Sequence, residues 1–146
     1  MTRLTAMIVL GLALPCWAGT YYVDPAGTDD GSHGLGPDVA AWATIQYAVD
    51  SVPAGTHTIN IAAGTYHEAV TLDGGEDAKG ITLSGASADT TIVDANSAVD
   101  SALYLNGVTG AAIAAQNLTI HNSGGGHAIK ISGASNLAIT NCNVGS

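Results

Sequence analysis

The sequence contains no phenylalanine and only three basic residues, Arg3, Lys79 and Lys130, against twelve acidic ones. Removal of an N-terminal leader that carries Arg3 leaves two bases and twelve acids, a formal charge of −10. A surface this acidic repels polyphosphate and anionic lipid, which disfavours nucleic-acid and membrane-surface binding. Cysteine is nearly absent as well. Cys16 falls in the leader, so Cys142 stands alone, and neither an intrachain disulfide nor a cysteine-rich zinc site is available. Cys142 reads as a small buried hydrophobe in an apolar strand. No apolar run approaches the roughly 20 residues that a membrane-spanning helix needs. Charged residues make up 10% of the chain and glycine supplies 19 positions, a composition of short strands and tight turns rather than of a helical bundle.

What is present begins with an export signal. Arg3 gives the positive start, Leu4 to Leu14 an uncharged apolar run, and Cys16-Trp17-Ala18 a cut site with a small final residue. Residues 1–18 are therefore expected to be a signal peptide. The mature chain would start near Gly19 and be secreted, periplasmic or held at the cell surface. A lipoprotein cut at Cys16 fits poorly, because Leu14-Pro15 stands where small residues are wanted.

After the leader, Thr20-Tyr21-Tyr22-Val23 predicts a strand, followed by a loop dense in turn formers from Asp24 to Gly34. One helix is expected next, with Asp38 as its N-cap and with Trp42, Ile45, Val49 and Val52 on one apolar face. Pro53-Ala54-Gly55 ends it. Residues 19–56 thus form an N-terminal strand, loop and helix.

From residue 57 to 146 the pattern is strand and turn, and it repeats. Ile59, Ile81, Leu103 and Ile129 open similar runs at spacings of 22, 22 and 26, and Val70, Ile92, Ile113 and Ile139 follow at 22, 21 and 26. A third match sets Asn117-Leu118-Thr119-Ile120 against Asn141-Cys142-Asn143-Val144 at a spacing of 24. Two or three alternating strands per unit at this period predict the coils of a parallel β-helix, about four of them, with each inward residue stacked on its counterpart. Turns such as Ser84-Gly85-Ala86-Ser87 and Ser132-Gly133-Ala134-Ser135 supply the corners. A leucine-rich repeat lacks its frame here, and a β-sandwich would not keep register between units.

The residues Tyr21-Tyr22-Val23-Asp24-Pro25-Ala26-Gly27-Thr28-Asp29-Asp30-Gly31, Trp42-Ala43-Thr44-Ile45-Gln46-Tyr47-Ala48-Val49-Asp50 and Ala63-Gly64-Thr65-Tyr66-His67-Glu68 resemble the N-terminal entry of right-handed β-helix proteins of the pectin-lyase-like superfamily. The resemblance covers nearly the whole mature chain. It implies an all-β solenoid whose open N-terminal end is capped by the short helix, and it implies polysaccharide as the partner. Pectate-lyase-like members use carboxylate-bound calcium with a basic side chain, often arginine. Pectinesterase-like members use two aspartates and an arginine. With Arg3 in the leader, neither signature carries over.

The candidate chemistry is sparse. Lys79 lies in a turn beside Glu76 and Asp77, and Lys130 at an outward position between Ile129 and Ile131; both read as surface lysines. Asp94 and Asp100 share a loop and are the one candidate pair to frame a glycosidic bond, against the commoner role of solvated turn formers. Asp24, Asp29 and Asp30 cluster in a glycine-rich loop, a candidate calcium cage without EF-hand spacing. His33, His57, His67, His121 and His127 show no metal-ligand spacing, and Asn117 reads as a corner asparagine rather than a glycan acceptor. No catalytic residue, substrate-binding residue, metal or cofactor is assigned. The sequence ends inside what reads as the last run of a coil, which suggests a fragment, or an end met by further coils or a second copy. The expectation is a secreted β-helix portion of a polysaccharide-acting protein without its catalytic residues. The alternatives are a structural or adhesive surface protein, or a complete lyase or esterase with an unrecognised site.

Overall fold

A computed structural model describes residues 18–96, 101–133 and 136–145. The expected signal peptide (apart from Ala18), Asp100, and the corner residues Ala134 and Ser135 lie outside the described residues. Among the described residues twelve strands and one α-helix follow one another: β1 Gly19–Val23, α1 Ile45–Ser51, β2 Gly55–Ile61, β3 Gly64–Tyr66, β4 Val70–Asp73, β5 Lys79–Gly85, β6 Thr91–Asp94, β7 Ser101–Asn106, β8 Ile113–Gln116, β9 Thr119–His121, β10 His127–Ser132, β11 Leu137–Thr140 and β12 Asn143–Gly145. Among the described residues no helix is long and apolar enough to cross a membrane.

The strands form three sheets ordered β1-β2-β5-β8-β11, β4-β7-β10 and β3-β6-β9-β12. Every pairing is parallel. From β2 onward each sheet takes every third strand, so the backbone winds as a coil. Strands β2-β3-β4, β5-β6-β7 and β8-β9-β10 make three turns, and β11-β12 begin a fourth. Alternation sends Ile59, Ile61, Leu72, Ile81, Leu105, Ile113 and Ile120 into one shared interior, where each is at most 2% exposed.

The register differs from the one the spacings predict. Ile59 pairs with Leu83, and Ile81 with His57 and Ile113, all in the first sheet. Leu103 pairs with Val70 and Ile129 in a different sheet. The second expected row is likewise divided among sheets, with Ile92 in β6 and Ile139 opposite Ala115. The physical reason is unequal coil length. Along the first sheet, His57, Ile81, Ile113 and Leu137 are successive partners at intervals of 24, 32 and 24. Three similar strands per coil offer near-equivalent frames, and an even-numbered slip keeps apolar residues inward. The third expected match is the observed one, Thr119 on Asn143 and Ile120 on Val144.

The helix is shorter than its apolar pattern predicts. Asp38 caps nothing; it starts a 3-10 turn, Asp38–Ala40, with φ at 55°. The N-cap is Thr44, whose Oγ1 accepts the Tyr47 amide at 3.3 Å. Trp42 precedes the helix and bridges Val23 of β1. The expected apolar face is nevertheless buried, with Trp42, Ile45, Val49 and Val52 all at 5% exposure or less. Corners between strands use left-handed asparagines, Asn96, Asn117, Asn136 and Asn141, at φ of 40° to 73°. Asn141 donates its side-chain amide to Asn117 Oδ1 at 2.7 Å, one corner stacked on the next.

Candidate functional site

The polar residues nearest the helix hold it to the coil. The Glu68 carboxylate accepts the Ile45 and Gln46 amides, each at 2.8 Å, at the helix N-terminus. Burial pushes the Glu68 carboxyl pKa up, and those two amides act against the shift. Asp29 accepts the amides of Ala43 and Thr44 and the Thr44 hydroxyl at 2.7–3.1 Å. At the other end Lys79 Nζ donates to the Val49 and Asp50 carbonyls, both at 3.0 Å, and lies 3.7 Å from Glu76. The Gln46 side chain behaves as a stretch of strand. Its Oε1 accepts the Thr71 amide at 2.6 Å and its Nε2 donates to the Thr71 carbonyl at 3.1 Å, closing the edge of β4.

The aspartates singled out by the sequence turn to separate backbone partners. Asp24 accepts the Ala26 amide, and Asp29 holds the Ala43 and Thr44 amides just ahead of the helix. Asp30 accepts from the amide and hydroxyl of Ser32 and lies 2.6 Å from His33 Nδ1. The His33 and Ser32 hydrogen bonds hold the Asp30 carboxyl well below the usual range. Asp94 staples two coils. It accepts the Ser123 amide and hydroxyl and the Asn96 amide at 2.8–3.0 Å, with His121 Nδ1 3.7 Å away. Burial acts to raise the Asp94 pKa, but the hydrogen bonds from Ser123 and Asn96 outweigh it and the net shift is downward. Its expected partner Asp100 lies outside the described residues. His67 and His127 are exposed, whereas His57 is buried. Among the described residues no three His, Cys, Asp or Glu side chains gather as a metal set. Lys130 faces outward on β10 and sits 5.0 Å above the Tyr104 ring of β7. Cys142 Sγ is half-buried and lies 3.4 Å from the Ala115 carbonyl.

A second polar arrangement has no counterpart in the sequence expectations. On the outer face of the first sheet, Tyr22, Asn60, Ser84, Gln116 and Thr140 occupy one register row across five strands. Gln116 Nε2 donates to Ser84 Oγ at 3.1 Å. Tyr22, Asn60 and Ser84 border a cleft of about 290 Å³, with Asp24 and Pro37 at its rim. A second depression of about 310 Å³ lies on the same face, lined by Thr56, Thr82, Asp77 and Ala114. The first lies at the C-terminal ends of β1, β2 and β5, the second at the N-terminal ends of β2, β5 and β8. The residues of the polar row sit 38, 24, 32 and 24 positions apart in the chain, so only the coil brings them together.

Three parallel sheets wound by successive coils define a right-handed parallel β-helix of the pectin-lyase-like fold. Among solved structures, pectin methylesterase from carrot is similar at a TM-score of 0.63 and 19% identity, over 84% of this chain. The chain spans 38% of the length of that structure. No protein-family model and no curated protein matches the sequence.

Proposed function

We propose that this chain is a polysaccharide-holding portion of an exported β-helix protein, with the sugar chain lying along the polar row on the first sheet. The register row Tyr22, Asn60, Ser84 and Gln116 carries the reading. Adjacent strands lie about 4.8 Å apart, comparable with the advance of one pyranose unit along an extended glycan chain. A glycan crossing the strands would thus meet a fresh polar side chain at each one. The Tyr22 ring offers an apolar face to sugar C–H groups, and its hydroxyl a polar handle. The Asn60 side chain makes no hydrogen bond to other described residues, which leaves its amide available to hydroxyls.

The formal charge of −9 favours an uncharged or esterified glycan over a polyanion. Likeness in fold to a pectin methylesterase supports a carbohydrate partner, and the leader at residues 1–18 supports export. In this reading the described coils bind and do not catalyse, with Asp24, Asp29, Glu68, Asp77 and Asp94 each accepting from backbone amides. Titration of the mature protein with methyl-esterified oligogalacturonide, followed by amide chemical shifts, tests it. Shifts centred on Tyr22, Asn60 and Ser84 are expected, with binding weakened about tenfold in Tyr22→Ala. Polygalacturonate should bind more weakly. Absence of any shift with either glycan would overturn the reading and leave the structural or adhesive role.

A further inference from the structure

His57 is the one buried side chain among the described residues with an unpartnered polar atom. It is 2% exposed, and its Nδ1 has no hydrogen-bond partner. Its Nε2 lies 2.9 Å from the Pro53 carbonyl, which only accepts, so Nε2 carries the proton and a neutral ring leaves Nδ1 as a bare acceptor. A buried acceptor without a donor is costly and calls for a partner. The residue opposite His57 in the parallel ladder is Gly19, the first residue of β1.

Gly19 has the geometry to supply one. A substituent in the Cβ position of Gly19 would lie 3.0 Å from His57 Nδ1 and 2.9 Å from Cε2 of Tyr21. While Gly19 is joined to Ala18, its nitrogen is fixed in the peptide. Hydrolysis of that bond, with water adding across it, leaves a carboxylate on Ala18 and a free ammonium on Gly19. Rotation about the Gly19 Cα–C bond then swings the nitrogen into the vacant Cβ position. The absence of a side chain keeps that place open, and the tip of the Tyr21 ring shifts slightly to admit it.

We infer that the new N-terminal ammonium of Gly19, released when the export peptidase cuts after Ala18, docks on His57 Nδ1 and locks β1 onto the coil. The ammonium has three protons, so one can serve Nδ1 while the others remain for solvent. Export processing thereby completes the capped end. Tyr21 stacks on Trp42 at 5.4 Å, so locking β1 also steadies the segment that leads into α1. The inference rests on the cut after Ala18, which the proposed export requires.

The test begins with the full chain expressed in an exporting host and the mass of its mature N-terminus. That protein is then compared with its Nα-acetylated form, in the native and His57→Phe backgrounds, by hydrogen exchange of the β1 amides. Acetylation should speed exchange at Tyr21 and Val23 about tenfold with His57 present, and leave it unchanged with phenylalanine. The Nδ1 nitrogen resonance of His57 should move on acetylation, a readout independent of how well His57→Phe folds. A mature start other than Gly19 would overturn both the cut and the docking. A Gly19 start with equal exchange and an unmoved resonance in the acetylated form would overturn the docking alone.

Discussion

The two ends of the coil stack are closed to different degrees. At the N-terminal end Ile45, Ala48 and Val49 are fully buried, and Trp42 is 5% exposed. At the other end the inward residues of the last strands are open, with Ile131 at 53%, Ile139 at 44% and Val144 at 50% exposure. Each end of the described coils cuts across an apolar interior and a row of backbone groups. The difference is that the first end is finished by side chains carrying backbone-like chemistry. Gln46 pairs with β4, Glu68 and Asp29 hold the helix start, and Lys79 holds its finish. Covering an apolar end therefore takes polar residues as much as apolar ones. The helix lies flat only because its own orphan groups are already satisfied.

The largest effect should come from matched substitutions at inward positions. Leu103→Asp places an unpaired carboxylate in the closed interior and is expected to cost more than about 4 kcal/mol, enough to unfold the chain by circular dichroism. Ile139→Asp at the open end should leave the melt nearly unchanged. Equal damage at the two positions would erase the contrast between them. Next in size, Ile45→Ala should cost about 2–5 kcal/mol in urea unfolding, and Ile139→Ala less than about 1 kcal/mol.

Gln46→Ala removes the strand mimic and exposes the edge of β4. About 1–2 kcal/mol of stability should be lost, with faster hydrogen exchange at the Thr71 amide and little change beyond β8. The smallest effects are those of pH, and they carry opposite signs. Glu68 has a raised pKa in the folded chain, so its contribution is full below the unfolded carboxylate range and is lost as pH rises through the folded value. Asp94 has a lowered pKa, so its contribution is present above the unfolded value and is lost as pH falls through the folded one. Melting curves from pH 7 to pH 3 should show Glu68→Gln removing a gain on acidification and Asp94→Asn removing a loss.

Much of the architecture is legible in the residues themselves. Alternating β-branched runs, corner glycines and asparagines, and the buried face of Trp42, Ile45, Val49 and Val52 all follow from local chemistry. Register does not, because coils of 24 and 32 residues cannot be told apart when every coil offers three similar runs and each slip preserves inward alternation. Asp38 has the composition of an N-cap. Thr44 takes that role because Asp29 and Glu68, distant in the chain, fix the backbone on both sides of it. The polar row on the first sheet stays hidden for the reason that scrambles register: Tyr22, Asn60, Ser84 and Gln116 become neighbours only when unequal coils are wound. A polar residue alternating with apolar ones is visible in the sequence, but the row it joins is not.

The asparagine corners also carry a chemical clock. Slow hydrolysis of a side-chain amide turns asparagine into aspartate, and the stacked pair would record where it happened. At Asn117 the change keeps an oxygen opposite the Asn141 amide, and the 2.7 Å bond survives with added charge. At Asn141 it replaces the donor with a second oxygen, and attraction becomes repulsion. One corner tolerates ageing and the next does not, so the later coils should loosen first in old protein.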